Sequence, residues 1–186
     1  MNYVYNKSLA NCTPSKIREF NSLAAKLNAK YKLTLGEPDF DTPIEIKDAL
    51  IEAVNQNHTR YAPTVGNKNL REEICKFEKR VNKVSYEPDE VLVTTGSTEA
   101  LTAALFTLLN QDDEVIVPIP CYALYEPVIS YCGAKMIPLD TRPDFQISKG
   151  HLEALINNKT KAILLTSPNN PVSYTHLRAH ETGRNL

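Results

Sequence analysis

Three short stretches hold the residues best suited to ligand chemistry. The first is Thr94-Thr95-Gly96-Ser97-Thr98, a β-rich run turning through a glycine into a helix pattern. Free N–H groups and the positive end of a helix dipole make such a start an anion site, and the Ser97 and Thr98 hydroxyls add donors. The same two residue types also serve as plain N-caps. The second is Pro118-Ile119-Pro120-Cys121-Tyr122, where two prolines stiffen a loop that presents an aromatic ring. Tyr122 can stack on a planar ligand or pack into a core. The third is Ser167-Pro168-Asn169-Asn170-Pro171, which closes the apolar run Ala162–Thr166. There Asn170 can hydrogen-bond a ligand oxygen or form an Asx-turn. No Lys follows the Gly96 turn as in a P-loop. The six glycines are scattered with no G-x-G, which excludes a dinucleotide fingerprint.

These stretches need strand ends to position them, and the chain supplies a strand–helix rhythm. Val91–Thr95, Glu114–Val117, Ala134–Leu139 and Lys161–Thr166 read as strands, the second stopped by Pro118 and Pro120. Between them lie helix patterns on Ala100, Leu101, Ala104, Leu105 and Leu108, on Tyr125, Val128 and Ile129, and on Leu152, Leu155 and Ile156 behind a Ser148 cap. Apolar strands alternating with amphipathic helices predict a mostly parallel sheet covered on both faces, with ligands gathering outside the strands' carboxyl ends.

Upstream, Thr13-Pro14-Ser15 caps a helix with the apolar face Ile17, Phe20, Leu23, Leu27, and a short strand begins at Leu33. Thr42-Pro43-Ile44-Glu45 reads as a capping box, with Pro at N1, on a helix carrying Ile46, Ala49, Leu50, Ala53 and Val54. A loop over 58–66 leads to a helix from about Asn67, with Leu70, Ile74, Phe77 and Val81.

The 186 residues are 42% hydrophobic and 23% charged with net charge −1, so the chain is globular and has no basic block for nucleic acid or anionic membranes. The cysteines Cys12, Cys75, Cys121 and Cys132 form no C-x-x-C pair, and no histidine stands at finger spacing. Neither zinc nor a disulfide framework is expected. His176 and His180 are four apart but lack further ligands. No signal peptide or membrane span is read, which predicts a cytoplasmic protein.

The order of five motifs adds specificity. Gly36-Glu37-Pro38-Asp39-Phe40, then Arg60-Tyr61-Ala62-Pro63-Thr64-Val65-Gly66 with Leu70-Arg71, then Thr94–Leu101, then Pro118-x-Pro-x-Tyr122-x-x-Tyr125, then Ser167–Pro171 run in sequence. That order resembles the class I/II aminotransferases, fold type I enzymes dependent on pyridoxal 5′-phosphate, over about residues 13–171. The resemblance implies an incomplete large domain, a mostly parallel sheet with helices on both faces, preceded by a segment of the small domain. Boundaries follow at 1–45 for the arm and small-domain segment, 46–171 for the partial cofactor-binding domain, and 172–186 for a tail. It further implies that Ser97 and Thr98 hold the cofactor phosphate, Tyr122 stacks on the pyridine, and Asn170 bonds its 3′-oxygen. Tyr61 would reach the phosphate of the other subunit of a homodimer, and Gly36 would admit the substrate carboxylate, although a turn also explains that glycine.

The expected reaction passes an amino group between an amino acid and a 2-oxo acid by a ping-pong route. The alternatives are a carbon–sulfur β-lyase of the same fold and a non-catalytic cofactor-binding module. Where the family has Thr-Gly after Asn-Pro, Val172-Ser173 stand. From Val172 the chain loses its apolar period and is similar to adapter read-through appended to unrelated reading frames, so it is expected to be non-native. No lysine here matches the family's Schiff-base lysine; Lys149, Lys159 and Lys161 lie before or within the last strand. The chain alone is therefore expected to be inactive, and its first strand, 91–95, to lack a sheet neighbour.

Overall fold

The computed structural model describes residues 16–27, 30–31, 34, 36 and 38–170. The caps at 13–15, Cys12, Leu33 and the segment 171–186 lie outside the described residues. The described residues form two compact units, one up to Gly96 and one from Ser97.

Among the described residues, the first unit holds the helices α1 (Lys16–Lys26), α2 (Ile44–Asn55) and α3 (Lys68–Val81), and a 3₁₀ turn at Pro88–Glu90. α3 starts where expected. Asn67 is its N-cap, and its side chain accepts a hydrogen bond from the Asn69 amide at 2.9 Å. The α2 start differs from the expected capping box. Pro43 itself is the N-cap with extended ψ of 143°, and no side chain caps the helix. Its carbonyl accepts from the Ile46 and Lys47 amides instead. The apolar faces of α1 and α2 are exposed along their length: Ile17, Phe20 and Leu23 on one, Ile46, Leu50 and Val54 on the other. Amphipathic periodicity set these helices, but no described residue covers them.

Val91–Thr94 does not form the expected strand. A strand exists only by pairing, and this segment has no ladder neighbour among the described residues. It is held instead by the Val93 amide, which donates to the Val65 carbonyl at 3.1 Å. Gly66, at φ +96°, lies so close to Val93 that an added Cβ would fall 2.5 Å from the valine Cβ. Nearby, the buried Arg71 guanidinium donates to the Pro88 carbonyl and pairs with Asp89 at 3.2 Å. The Leu70-Arg71 motif thus pins α3 to the turn that precedes this segment.

The second unit contains α4 (Gly96–Leu108), β1 (Glu114–Ile119), α5 (Tyr125–Tyr131), β2 (Lys135–Asp140), α6 (Lys149–Leu155) and β3 (Thr160–Ile163). The sheet is parallel, in the order β2-β1-β3. β1 takes the centre because it is apolar on both faces. Val115, Ile116 and Val117 are all fully buried, the continuous run that a central parallel strand requires. Val115 and Val117 pack with Leu105 and Leu109 at the end of α4 and with Tyr125, Val128 and Ile129 of α5.

β1 continues through Pro118 rather than stopping there. A parallel strand points successive residues to alternate neighbours. The Ile116 carbonyl accepts from the Leu164 amide on the β3 side, and the Ile119 carbonyl from the Thr141 amide on the β2 side. Pro118 therefore faces the β3 side, beyond the last β1–β3 pair at Ile116–Ile163, where no ladder asks for its missing N–H. β3 is shorter than expected for the same reason. Its ladder ends at Ile163, and residues 164–170 continue as the loop that bears Asn170.

Candidate functional site

At the carboxyl end of the sheet the loops after β1 and β3 are tied together. The loop after β1 carries Cys121 and Tyr122; the loop after β3 carries Thr166 to Asn170. Asn169, only 6% exposed, donates from Nδ2 to the Pro120 carbonyl at 3.0 Å. The Tyr125 hydroxyl and Thr166 Oγ1 lie 2.7 Å apart. Tyr125 also supports Tyr122 directly, the two rings meeting edge to face with centroids 5.6 Å apart at 81°. Tyr122 is half-buried and Asn170 exposed. One loop thus offers an aromatic ring held from behind, and the other an amide open to solvent.

The end of β2 joins the same edge. Thr141 is 2% exposed, and both its amide and its hydroxyl donate to the Ile119 carbonyl, at 3.2 and 2.8 Å. Beside it the Arg142 guanidinium and amide bond the Asp140 carboxylate at 2.6–3.0 Å, holding that acid down at about 2. Burial pushes the Cys121 thiol up, helped by the negative charge of Glu126. It stays protonated at neutral pH and is a poor nucleophile.

Ser97 and Thr98 lie in the first turn of α4 with their side chains exposed. At a helix start the backbone amides lack partners within the helix, which gives this turn an anion-attracting end. Thr94 Oγ1 donates to the Gly96 carbonyl at 3.0 Å, and Gly96 takes φ +78°.

Tyr61 and Gly36 belong to the first unit. Tyr61 is fully exposed. A Cβ added at Gly36 would meet no described residue within 4 Å, and no positive φ is seen there, so no described neighbour demands glycine at that position. Within the second unit, then, the fold brings the Tyr122 and Asn170 loops together. It also shows three residues that the sequence did not single out for the site: Asn169, Thr141 and Thr166. Two adjacent asparagines carry no local signal of which one turns inward, and bonds spanning 22 to 49 residues leave no periodic trace.

The aminotransferase class I and II family model matches residues 28–174. The chain is 36% identical to a probable N-acetyl-LL-diaminopimelate aminotransferase of Bacillus subtilis over 177 residues, 94% of this chain and 45% of the relative. It is 35% identical to an aspartate aminotransferase of the same organism, over 91% of this chain and 45% of that one. Its fold superposes on the aspartate aminotransferase from Thermus thermophilus with maleate at a TM-score of 0.87 and 32% identity, covering 94% of this chain and 47% of that one. The chain thus spans about half the length of the relatives it matches. Motif order, parallel sheet and these likenesses agree, and the chain belongs to the class I and II aminotransferase family.

Proposed function

We propose that the whole protein moves an amino group between an amino acid and a 2-oxo acid with pyridoxal 5′-phosphate as cofactor, working as a cytoplasmic homodimer. The observation that carries this reading is the cross-tied pair of loops after β1 and β3, which offer a supported ring and an open amide at one sheet edge. Those residues fit the group. Tyr122 would lie against the flat pyridine, Asn170 would donate to the ring's 3′-oxygen, and Ser97 and Thr98 would bind the phosphate at the start of α4. When bound, the cofactor supplies an electron sink and an amino-group carrier. The chain's own residues orient it: the ring fixes the plane, the amide fixes the edge, and the helix start fixes the phosphate.

Tyr61, fully exposed on its own chain, is proposed to reach the phosphate held by the neighbouring subunit. The bare α1 and α2 faces favour further burial of this kind. Gly36, with open space where a Cβ would stand, is proposed to leave room for the substrate carboxylate. Lys149 opens α6, Lys159 precedes β3 and Lys161 lies within it, so none is assigned as the covalent anchor. The 186 residues alone are proposed not to turn over.

The test is a fluorescence titration with pyridoxamine 5′-phosphate, which needs no covalent anchor. Tyr122→Ala and Asn170→Ala are each expected to weaken binding about tenfold, the scale of one ring contact or one hydrogen bond. Pyridoxamine without the phosphate is expected to bind more weakly still. Equal binding by wild type and both variants would overturn the assignment.

A further inference from the structure

We propose that Asn169, Thr141 and Tyr125 are positioning residues that latch the Pro120–Tyr122 turn onto the ends of β2 and β3 and so set the plane of the Tyr122 ring. The role rests on the reading of Tyr122 and Asn170 as the residues that hold the cofactor ring. Two consecutive carbonyls, the last of β1 and the first of the turn, are taken from opposite sides. Ile119 accepts from Thr141 at 2.8 and 3.2 Å, and Pro120 accepts from Asn169 at 3.0 Å. The Thr141 amide bond closes the β1–β2 ladder at its Ile119–Asp140 end, whereas the Thr141 hydroxyl and Asn169 amide bonds are side-chain bonds outside the ladders, which end at Ile119–Asp140 on one side and Ile116–Ile163 on the other. Those two side-chain bonds add nothing to strand pairing; they fix the loops.

The three side chains are 6%, 2% and 6% exposed, so each polar group would stay unsatisfied if the latch opened. Tyr125 adds the third point. Its hydroxyl holds Thr166 at 2.7 Å while its ring edge meets Tyr122. Asn169 lies next to Asn170, so the bond that stops the Pro120 turn from swinging also fixes the backbone bearing the proposed ligand amide. The two asparagines divide the work, Asn169 turned inward as anchor and Asn170 outward as ligand.

The test uses the 186-residue chain and two readouts. Hydrogen exchange, followed by mass spectrometry, reports the latch without any ligand. Asn169→Ala is expected to speed exchange about tenfold in both 119–126 and 164–170, leaving 135–140 unchanged, because one buried bond lost is worth about that factor. Tyr125→Phe, which keeps the ring and removes the hydroxyl, is expected to loosen the same two segments. Asn169→Asp matches the shape but sets a carboxylate against the Pro120 carbonyl. It is expected to loosen both segments at neutral pH and to recover as the buried acid gains a proton and donates. Faster exchange only around the mutated residue, or an Asn169→Asp variant insensitive to pH, would overturn the latch.

Pyridoxamine 5′-phosphate titration supplies the second readout, with about tenfold weaker binding expected for Asn169→Ala. If Tyr122→Ala and Asn170→Ala leave binding unchanged, the site assignment fails, while the exchange data still decide the latch. If those two weaken binding and Asn169→Ala does not, the latch has no positioning role.

Discussion

Replacing Gly66 with alanine tests the packing that stands in for a strand at 91–94. Gly66 is buried at φ +96°, its amide donates to the Pro63 carbonyl at 2.8 Å, and a Cβ would fall 2.5 Å from Val93 Cβ and 2.6 Å from Cγ2. Positive φ costs an L residue about 1–2 kcal/mol. Overlap with atoms close to the Val93 backbone adds about 1–3 kcal/mol, because no flexible tip can swing aside. The sum, about 2–5 kcal/mol, acts on the Val93 N–H bond to the Val65 carbonyl. At about 1.4 kcal/mol per factor of ten, that amide should exchange at least about thirtyfold faster in Gly66→Ala. Gly96→Ala is the control, since Gly96 shares a positive φ of +78° but has nothing within 4 Å. It should feel the backbone term alone, about 1–2 kcal/mol. Exchange at Val93 within threefold of wild type, or equal effects of the two substitutions at their own segments, would refute the steric argument.

Gly36→Ala should leave circular dichroism and exchange unchanged, within about 0.5 kcal/mol, because its Cβ would enter open space; a structural loss there would remove the case for a substrate role. Asp140 should titrate near pH 2 by carboxyl NMR and move up towards 3.8 in Arg142→Ala, with part of the drop kept by the Arg142 backbone amide. Its pKa is depressed on folding, so whatever the pair adds is present above pH 3.8 and lost as pH falls towards 2. Leu50→Glu with Val54→Glu should cost less than about 0.5 kcal/mol, since both side chains are exposed, and should reduce light scattering at micromolar concentration. A thermal melt of the chain should be broad, the sheet unit with its Val115–Val117 core outlasting helices whose apolar faces are bare; a single sharp two-state transition would contradict this.

The parts of the fold legible in the sequence are those with local causes. α3 begins at its asparagine cap, α6 at Ser148, whose Oγ accepts from the His151 amide at 3.5 Å, and β1 is central because Val115, Ile116 and Val117 leave no polar face. Where pairing decides, propensity alone misleads. Val91-Leu92-Val93 has every strand propensity yet forms no ladder among the described residues, because propensity describes fitness for a sheet and does not supply the neighbour that was expected to be missing here. Pro118 reads as a stop but is harmless, because β3 has already ended opposite Ile116. Thr42 reads as a cap, but the extended backbone of Pro43 takes the N-cap place itself.

The candidate site divides along the same line. Tyr122 and Asn170 are expected from their residue types at strand ends and from motif order, and the fold ties their loops together. The groups that fix them are not, because each acts through a bond to a backbone carbonyl or a hydroxyl far along the chain. A carbonyl acceptor exists at every residue, so its partner imposes no residue type on it. Only burial separates Asn169 from Asn170. An asparagine turned inward must satisfy its amide, and the Pro120 carbonyl is its hydrogen-bond acceptor. On the proposed reading, the pair Asn169-Asn170 would carry two demands of opposite sense, one for the buried donor seen at Asn169 and one for an exposed donor at Asn170. A single substitution at each, read by exchange and by ligand binding, separates them.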